Sequence, residues 1–309
     1  MVSPVDGDAV DTLRDNHHVA IAVDEPPSEE VLRDQEVLVM RSGVEITRDI
    51  IDLAPRLGLI VRAGSGFDNI DLGHARRRGI RVVRIPGPAA AAVAEFTFGL
   101  ILALTRKIVR ADALVRIGLW PKPELGGILL GGKVLGIVGA GNIGTRVGKL
   151  GAAWGMHVIG CVEHSSKWEP PPFIEAGDLG SVLSRADILT VHTPLTDATR
   201  GLIGAGELAS MQQGGYVVST ARGGVVDEVA LYEALDSGHL AGAALDVHEE
   251  EGDGSIPKLA DLPNVVLTPH IAGMAIESQR AIGSRMVELI NAYAADELDS
   301  VLAEPERVV

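Results

Sequence analysis

The sequence predicts an α/β protein made of two doubly wound units with parallel sheets. Three observations carry this reading. Apolar strand-like runs alternate with helical patterns along most of the chain, which is the arrangement that gives a largely parallel sheet. A strand, a glycine turn, a helix and a second strand follow one another in "KVLGIVGAGNIGTRVGKLGAAWGMHVIG". Glycine is abundant, at 37 residues, while aromatics make up 3% of the chain, a composition suited to many tight turns. At 309 residues the chain is long enough for two ordinary domains.

The elements are expected in this order. "HVAIAVD" and "EVLVMRS" are the first two strands, "LGLIVRAGSG" is a strand ending in a glycine loop, and "GIRVVRIPG" is a strand stopped by Pro86. A long helix is expected from Val93 to about Val115. After the glycine turn come strands at "ADILTVHTP", "GGYVVST", "LAGAALDV" and "NVVLTPH". A last helix runs from about Ile276 to Tyr293 and could pack back on the first unit. The expected domains are residues 1–94 with 275–309, and residues 95–274.

Charge and composition narrow the function classes. The net charge is −15, from 27 basic and 42 acidic residues, a field that repels phosphate backbones and argues against a nucleic-acid partner. A small anionic substrate stays compatible with it where arginines collect locally. The single cysteine, Cys161, cannot form an internal disulfide, and no Cys/His cluster has zinc spacing, so no metal is expected. Cys161 lies in an apolar run and reads as a packing residue. The start, "MVSPVDGDAVDTLRDNHH", lacks the basic head and apolar core of a signal peptide. The most membrane-like run, Ala89 to Thr105, carries Glu95, ends in Arg106 and Lys107, and reads as a buried helix. A cytoplasmic protein without membrane contact is the expectation.

Gly139, Gly141 and Gly144 form a GxGxxG between an apolar strand and a helical pattern, the context its chemistry needs. The first glycine permits a tight turn, the second lets the backbone approach a pyrophosphate, and the third lets helix and strand pack closely. The helix start then offers N–H donors and partial positive charge. This marks a Rossmann-like unit for a dinucleotide. Glu163 follows 19 residues after Gly144, near the spacing of an acidic ribose ligand, although a solvated loop carboxylate would look the same. His164, Ser165, Ser166 and Lys167 come next and would suit a 2′-phosphate, which Glu163 would repel. NAD is therefore expected ahead of NADP.

Three further segments each place a polar residue just past an apolar strand: Arg222 in "VVSTARGGVVDEVAL", Glu251 in "GAALDVHEEEG" and His270 in "VVLTPHIAG". Strand ends beside a nucleotide site are where open α/β sheets bind ligands. Singly, each has a bland reading as a surface guanidinium, a solvated glutamate or a core histidine.

Together with "RSGVEIT", "RAGSGFDNIDL", "VAEFTFGLILALTRKI", "GAGNIG", "VHTPLT", "TARGGVVD", "ALDV" and "LTPHIAG", these segments resemble the D-isomer-specific 2-hydroxy acid dehydrogenase family over nearly the whole chain. The resemblance implies two Rossmann-like domains with the active site in the cleft between them. It implies hydride exchange between a nicotinamide and C2 of a D-2-hydroxy acid or 2-oxo acid. His270 would move the hydroxyl proton, Glu251 would orient and charge the imidazole, and Arg222 would pair with the substrate carboxylate. The "AGSG" loop at Gly64, Ser65 and Gly66 would receive that carboxylate. Cofactor contacts would come from Gly139, Gly141, Asn142, Ile143 and Gly144, from Glu163 and His164, from His192, Thr193 and Pro194, from Thr220 and Ala221, and from Asp246 and His270. Asp246 would orient the carboxamide. Arg62 and Arg84 would bind substrate, with Arg41 nearby, as similar arginines do for phosphate in phosphoglycerate dehydrogenases.

The chain departs from the family pattern at Gly252, Ser219 and Arg84, and at Ala89 to Ala92, where relatives often carry polar groups. D-3-phosphoglycerate, hydroxypyruvate and glyoxylate all stay open as substrates. The chain leaves no room for an added C-terminal regulatory domain, so no serine feedback site of that type is expected. A homodimer is implied, with the apolar helix from Val93 as an interface element. The alternative is a protein of this fold that binds cofactor with weak catalysis, or a corepressor-like interaction protein.

Overall fold

The structure, a computed structural model, describes residues 6–22, 27–41, 43–163, 168–252, 254–303 and 306–308. It divides into unit 1, Met1–Ala89 with Met274–Val309, and unit 2, Ala90–Gly273. The first division falls at 89/90 where the sequence suggested 94/95, and the second at 273/274 where it suggested 274/275. The reason for the first lies in the helix Ala89–Thr105, which buries Ala94, Phe98, Ile101 and Leu104 in the core of unit 2.

Unit 1 holds a parallel sheet of β1 (Val37–Met40), β2 (Leu59–Arg62) and β3 (Arg81–Arg84) in that order. The register runs Leu38, Ile60, Val82 on one face and Val39, Val61, Val83 on the other. Both faces are apolar, as a parallel sheet covered on two sides requires. The first face packs with Ile51 and Ala75 from the helices Arg48–Asp52 and Leu72–Arg77. The second packs with Leu13 from the helix Gly7–Arg14 and with Ile282, Met286 and Leu289 from the helix Ile276–Ala294. The last helix thus belongs to unit 1.

Among the described residues, one expected strand is not formed. His18 to Ala22 of "HVAIAVD" carry no ladder, and the next residues lie outside the described ones. Along this run small Ala20 and Ala22 alternate with Val19 and Ile21, and Ile21 is 50% exposed, so pairing would bury little apolar surface.

Unit 2 is a seven-stranded parallel sheet: β4 (Val134–Val138), β5 (His157–Cys161), β6 (Glu175–Ala176), β7 (Ile188–Val191), β8 (Gly215–Ser219), β9 (Leu240–Leu245) and β10 (Val265–Leu267). Their order is β10-β9-β8-β7-β4-β5-β6, which reverses direction between β4 and β7. That reversal is the crevice where doubly wound sheets bind ligands. The two-residue β6 had no signal in the sequence.

The expected long helix is two helices. Ala89–Thr105 and Ile108–Arg116 meet at 61°, with Lys107 left-handed at φ 53°. The first stops because the glycine-rich approach caps it: Ile128 N–H donates to the Thr105 carbonyl at 3.1 Å, and a side chain at Gly127 would collide with that carbonyl. Among the described residues no single helix is long and apolar enough to cross a membrane.

Candidate active site

The sheet of unit 2 sets one row of residues in register: Cys161, Val138, Val191, Ser219, Leu245 and Leu267. All stand at the carboxyl ends of their strands. The described site residues expected in this unit follow within six positions of that row, so parallel pairing brings their segments to one edge.

At the GxGxxG, Gly139 takes φ 91°, a conformation L side chains rarely adopt. A Cβ there would lie 2.8 Å from the backbone of His192, and one at Gly144 would collide with the Gly139 carbonyl oxygen. Glycine is thus required at both. A Cβ on Gly141 would meet nothing within 4 Å, so that backbone faces open space. Gly141 caps the helix Asn142–Ala153 without a side-chain bond, leaving the first N–H groups of that helix to a ligand. Asn142 is exposed at this start, while Ile143 is half-buried against the core.

A cavity of about 720 Å³ opens here, lined among others by Gly139, Gly141, Cys161, Val162, Glu163, His192, Thr193 and Pro194. Glu163 reaches it from the end of β5. His164, Ser165, Ser166 and Lys167 lie outside the described residues. Among the described residues, His192 Nε2 and Thr193 Oγ1 of this lining are buried polar atoms with no partner. Buried polar groups are ordinarily paired, so such atoms along a cavity suit a polar ligand. With the glycine cradle, they fit a dinucleotide. Thr220 Oγ1 lies 3.3 Å from His192 Nδ1 and 3.0 Å from Thr97 Oγ1. Ala221 is buried next to it.

The catalytic candidates form a second cluster further along the row. His270 Nδ1 lies 2.7 Å from Glu251 Oε2. The other oxygen of Glu251 accepts the His248 N–H at 3.0 Å. Burial pushes the Glu251 carboxyl up, but the bonds from His270 and His248 and the charges of both residues outweigh it and leave it below its ordinary range. His270 is itself left-handed, at φ 54°. Asp246 holds it there. The Asp246 carbonyl accepts the His270 N–H at 2.8 Å. The Asp246 carboxylate accepts from Thr268 Oγ1 at 2.6 Å, Ile271 N–H at 3.0 Å and Ala272 N–H at 2.8 Å. Expected to orient a carboxamide, this 1%-exposed side chain is bonded into the loop that carries His270. His248 completes the frame by meeting the Thr268 carbonyl at 3.0 Å through Nε2. Neither His248 nor Thr268 carried a sequence signal for this role. Arg222, partly buried past β8, donates from Nη1 to the Ala221 carbonyl at 2.7 Å. Gly223 beside it is obligatory, because a Cβ would collide with the His248 carbonyl.

The remaining expected residues lie in unit 1. Arg62 and Arg84 are register partners at the ends of β2 and β3. Arg62 is buried and donates to the Ala63 carbonyl at 3.2 Å, and its guanidinium lies against Gly64, where a Cβ would be 2.4 Å away. Arg84 donates to the Ser65 carbonyl at 3.2 Å and stacks over Phe67 at 5.2 Å. Two guanidiniums therefore flank the Gly64–Phe67 loop, of which Gly66 is half-buried. Burial lowers the pKa of Arg84 and that of Arg41. Of the alanine run, Ala90 and Ala92 are core residues and Ala91 is exposed, so half of that departure serves packing.

Residues 98–272, more than half of the chain, match the model of the D-isomer specific 2-hydroxyacid dehydrogenase, NAD binding domain. The chain belongs to the D-isomer specific 2-hydroxyacid dehydrogenase family. It is 40% identical to a hydroxypyruvate reductase of Thermotoga maritima over 93% of this chain and 95% of that one. It is 41% identical to a D-3-phosphoglycerate dehydrogenase of Methanocaldococcus jannaschii over 96% of this chain, but spans only 57% of that longer protein. Among solved structures it is similar to a D-lactate dehydrogenase from Aquifex aeolicus complexed with NAD and lactic acid, at 28% identity and a TM-score of 0.86 over 96% of each chain. This dehydrogenase is therefore an oxidoreductase of CH–OH donors that uses a nicotinamide cofactor.

Burial lowers the His192 pKa to about 3, from 6.5. Above pH 6.5 the ring is neutral whether the dehydrogenase is folded or not. Between pH 6.5 and about 3 the unfolded chain takes a proton that the folded one refuses, so stability falls across that window. The slope from this group approaches about 1.4 kcal/mol per pH unit. Urea unfolding of His192→Asn at pH 7 and pH 5 is expected to show a smaller loss between the two than wild type; equal losses would contradict the burial argument.

Proposed function

We propose that this dehydrogenase interconverts a small anionic 2-oxo acid and its D-2-hydroxy acid, with His270 as proton carrier, Glu251 as its orienting partner and Arg222 as carboxylate ligand. The observation that carries this is the 2.7 Å contact between His270 and Glu251 on the same strand-end row as the dinucleotide cradle. The nicotinamide, when bound, exchanges a hydride with C2 of the substrate. Held by Gly139, Gly141 and the start of the helix Asn142–Ala153, the dinucleotide would lie along His192, Thr193 and Pro194. In reduction, the imidazolium of His270 gives a proton to the carbonyl oxygen; in oxidation, the neutral ring takes it from the hydroxyl. Glu251, 2.7 Å from Nδ1, fixes the orientation of the ring. The guanidinium of Arg222 pairs with the carboxylate and polarises the neighbouring carbonyl. The Gly64 N–H, expected to receive a carboxylate, already donates to the Arg62 carbonyl at 2.8 Å.

The substrate choice we favour is hydroxypyruvate or glyoxylate, in keeping with relatives named hydroxypyruvate reductase and glyoxylate reductase. A phosphorylated 2-oxo acid is the second reading, supported by Arg41, Arg62 and Arg84 at the carboxyl ends of β1, β2 and β3. We further propose a homodimer. The helix Ile108–Arg116 buries none of its residues, and Ile108, Val109, Val115, Ile117, Leu119 and Trp120 on it and just after it are exposed. The expected interface element, one helix from Val93, is two helices, of which the first is largely core. A cluster of large apolar side chains at the surface marks an association face.

NADH oxidation with a panel of 2-oxo acids, 3-phosphohydroxypyruvate included, tests the activity. His270→Ala is expected to lose ~10²- to 10⁴-fold in turnover. Glu251→Ala is expected to lower turnover, because the imidazole loses the carboxylate 2.7 Å away that orients it. Turnover that survives His270→Ala would refute the assignment. Light scattering after size exclusion is expected to give twice the 32.4 kDa chain mass, falling to one chain mass in Ile117→Glu with Trp120→Glu. A monomeric wild type would end the dimer reading.

A further inference from the structure

We infer that Asp178 is a second cofactor-selecting residue, which together with Glu163 turns the cavity against a 2′-phosphate and makes the enzyme take NAD rather than NADP. The inference rests on the cofactor reading of the 720 Å³ cavity given above.

The short edge strand β6 explains how Asp178 gets there. Glu175 and Ala176 pair with Ile159 and Gly160 of β5. Gly177 N–H then donates to the Gly160 carbonyl at 2.9 Å, and a Cβ on Gly177 would lie 2.9 Å from Ile159 Cδ1. The backbone therefore hugs β5 until it reaches the level of Cys161 and Val162. Asp178 follows at that level and lines the same cavity as Gly139, Gly141 and Glu163. Its orientation is fixed, because Oδ1 accepts the Ser181 N–H at 2.7 Å as the cap of the helix Leu179–Arg185. Bonds from the Ser181 side chain and backbone hold its carboxyl below the ordinary aspartate range. Its charge also reaches Cys161, whose thiol is pushed up first by burial and further by Asp178.

The cavity therefore carries carboxylates from two separate elements, the end of β5 and the end of β6. Among the described residues no lysine or arginine lines it, and the imidazole of His192 is held neutral by burial. A 2′-phosphate carries close to two negative charges at neutral pH. It would meet like charge from both carboxylates, whereas a ribose hydroxyl can donate to either. Selectivity here includes an element of repulsion as well as attraction.

The competing explanation is that Asp178 is only a helix cap. Ser and Asn cap as well as Asp does, so that explanation predicts no change in nucleotide choice for Asp178→Ser or Asp178→Asn. Dissociation constants for NADH and NADPH, read by nucleotide fluorescence at low ionic strength, separate the two without requiring turnover. Both single variants are expected to bind NADPH ~3- to 10-fold more tightly, with NADH altered less than about twofold, and Glu163→Gln is expected to add to the effect. An NADPH constant unchanged within about twofold in both variants, or one that moves in parallel with NADH, would overturn the inference. Should wild type bind neither nucleotide, the cofactor reading itself falls and this inference falls with it. Should it bind NADH but reduce no 2-oxo acid, only the substrate proposal is lost.

Discussion

The Asp246 carboxylate is the group on which the arrangement of this site depends. Histidine in the left-handed region is unfavourable, by roughly 1–2 kcal/mol, and a buried carboxylate without partners would be worse. The structure resolves both together. Asp246 sits one residue past β9, and its backbone and side chain take up the N–H groups of His270, Ile271 and Ala272 and the hydroxyl of Thr268. The charge is satisfied by the loop it shapes, and the loop is shaped so that the imidazole meets Glu251. His248 ties the Glu251 segment to the same turn through the Thr268 carbonyl. Glu228 and Glu249 reinforce it by exchanging bonds to each other's backbone N–H groups at 3.4 and 2.7 Å.

The second constraint is register. Because β4, β5, β7, β8, β9 and β10 all run parallel and end level, any polar residue just beyond an apolar run reaches the same edge. The chemistry then needs only small adjustments: a glycine where backbones nearly touch, as at Gly139 and Gly223, and a left-handed residue where a ring must turn back, as at His270.

These facts explain what the sequence could reveal. GxGxxG is legible because strand, turn and helix are neighbours in the chain, and their packing fixes which residues must be glycine. Arg222, Glu251 and His270 are legible because each follows its own apolar run. Asp178 is not, since the two-residue strand that delivers it is shorter than any hydrophobic period can register. His248 acts through its backbone N–H and through the Thr268 carbonyl, and Thr268 through a hydroxyl on Asp246, contacts that side-chain patterns do not announce. The bend at Lys107 depends on Ile128 and Gly127 returning to cap Thr105, which the apolar run of that helix gave no reason to expect. "HVAIAVD" alternates as a strand should, yet its alanines bury too little for the edge of β1 to hold it.

The most direct test of this account is Asp246→Asn, followed by two readings on one preparation: 2-oxo acid turnover and the NADH dissociation constant. In either orientation the amide turns an NH₂ toward a group that already donates, so no rotamer keeps all the loop's bonds. If Asp246 acts by holding His270, turnover falls by ~10²-fold or more while NADH affinity stays within about threefold. Loss of NADH affinity in step with turnover would contradict it, and would place Asp246 on the cofactor instead.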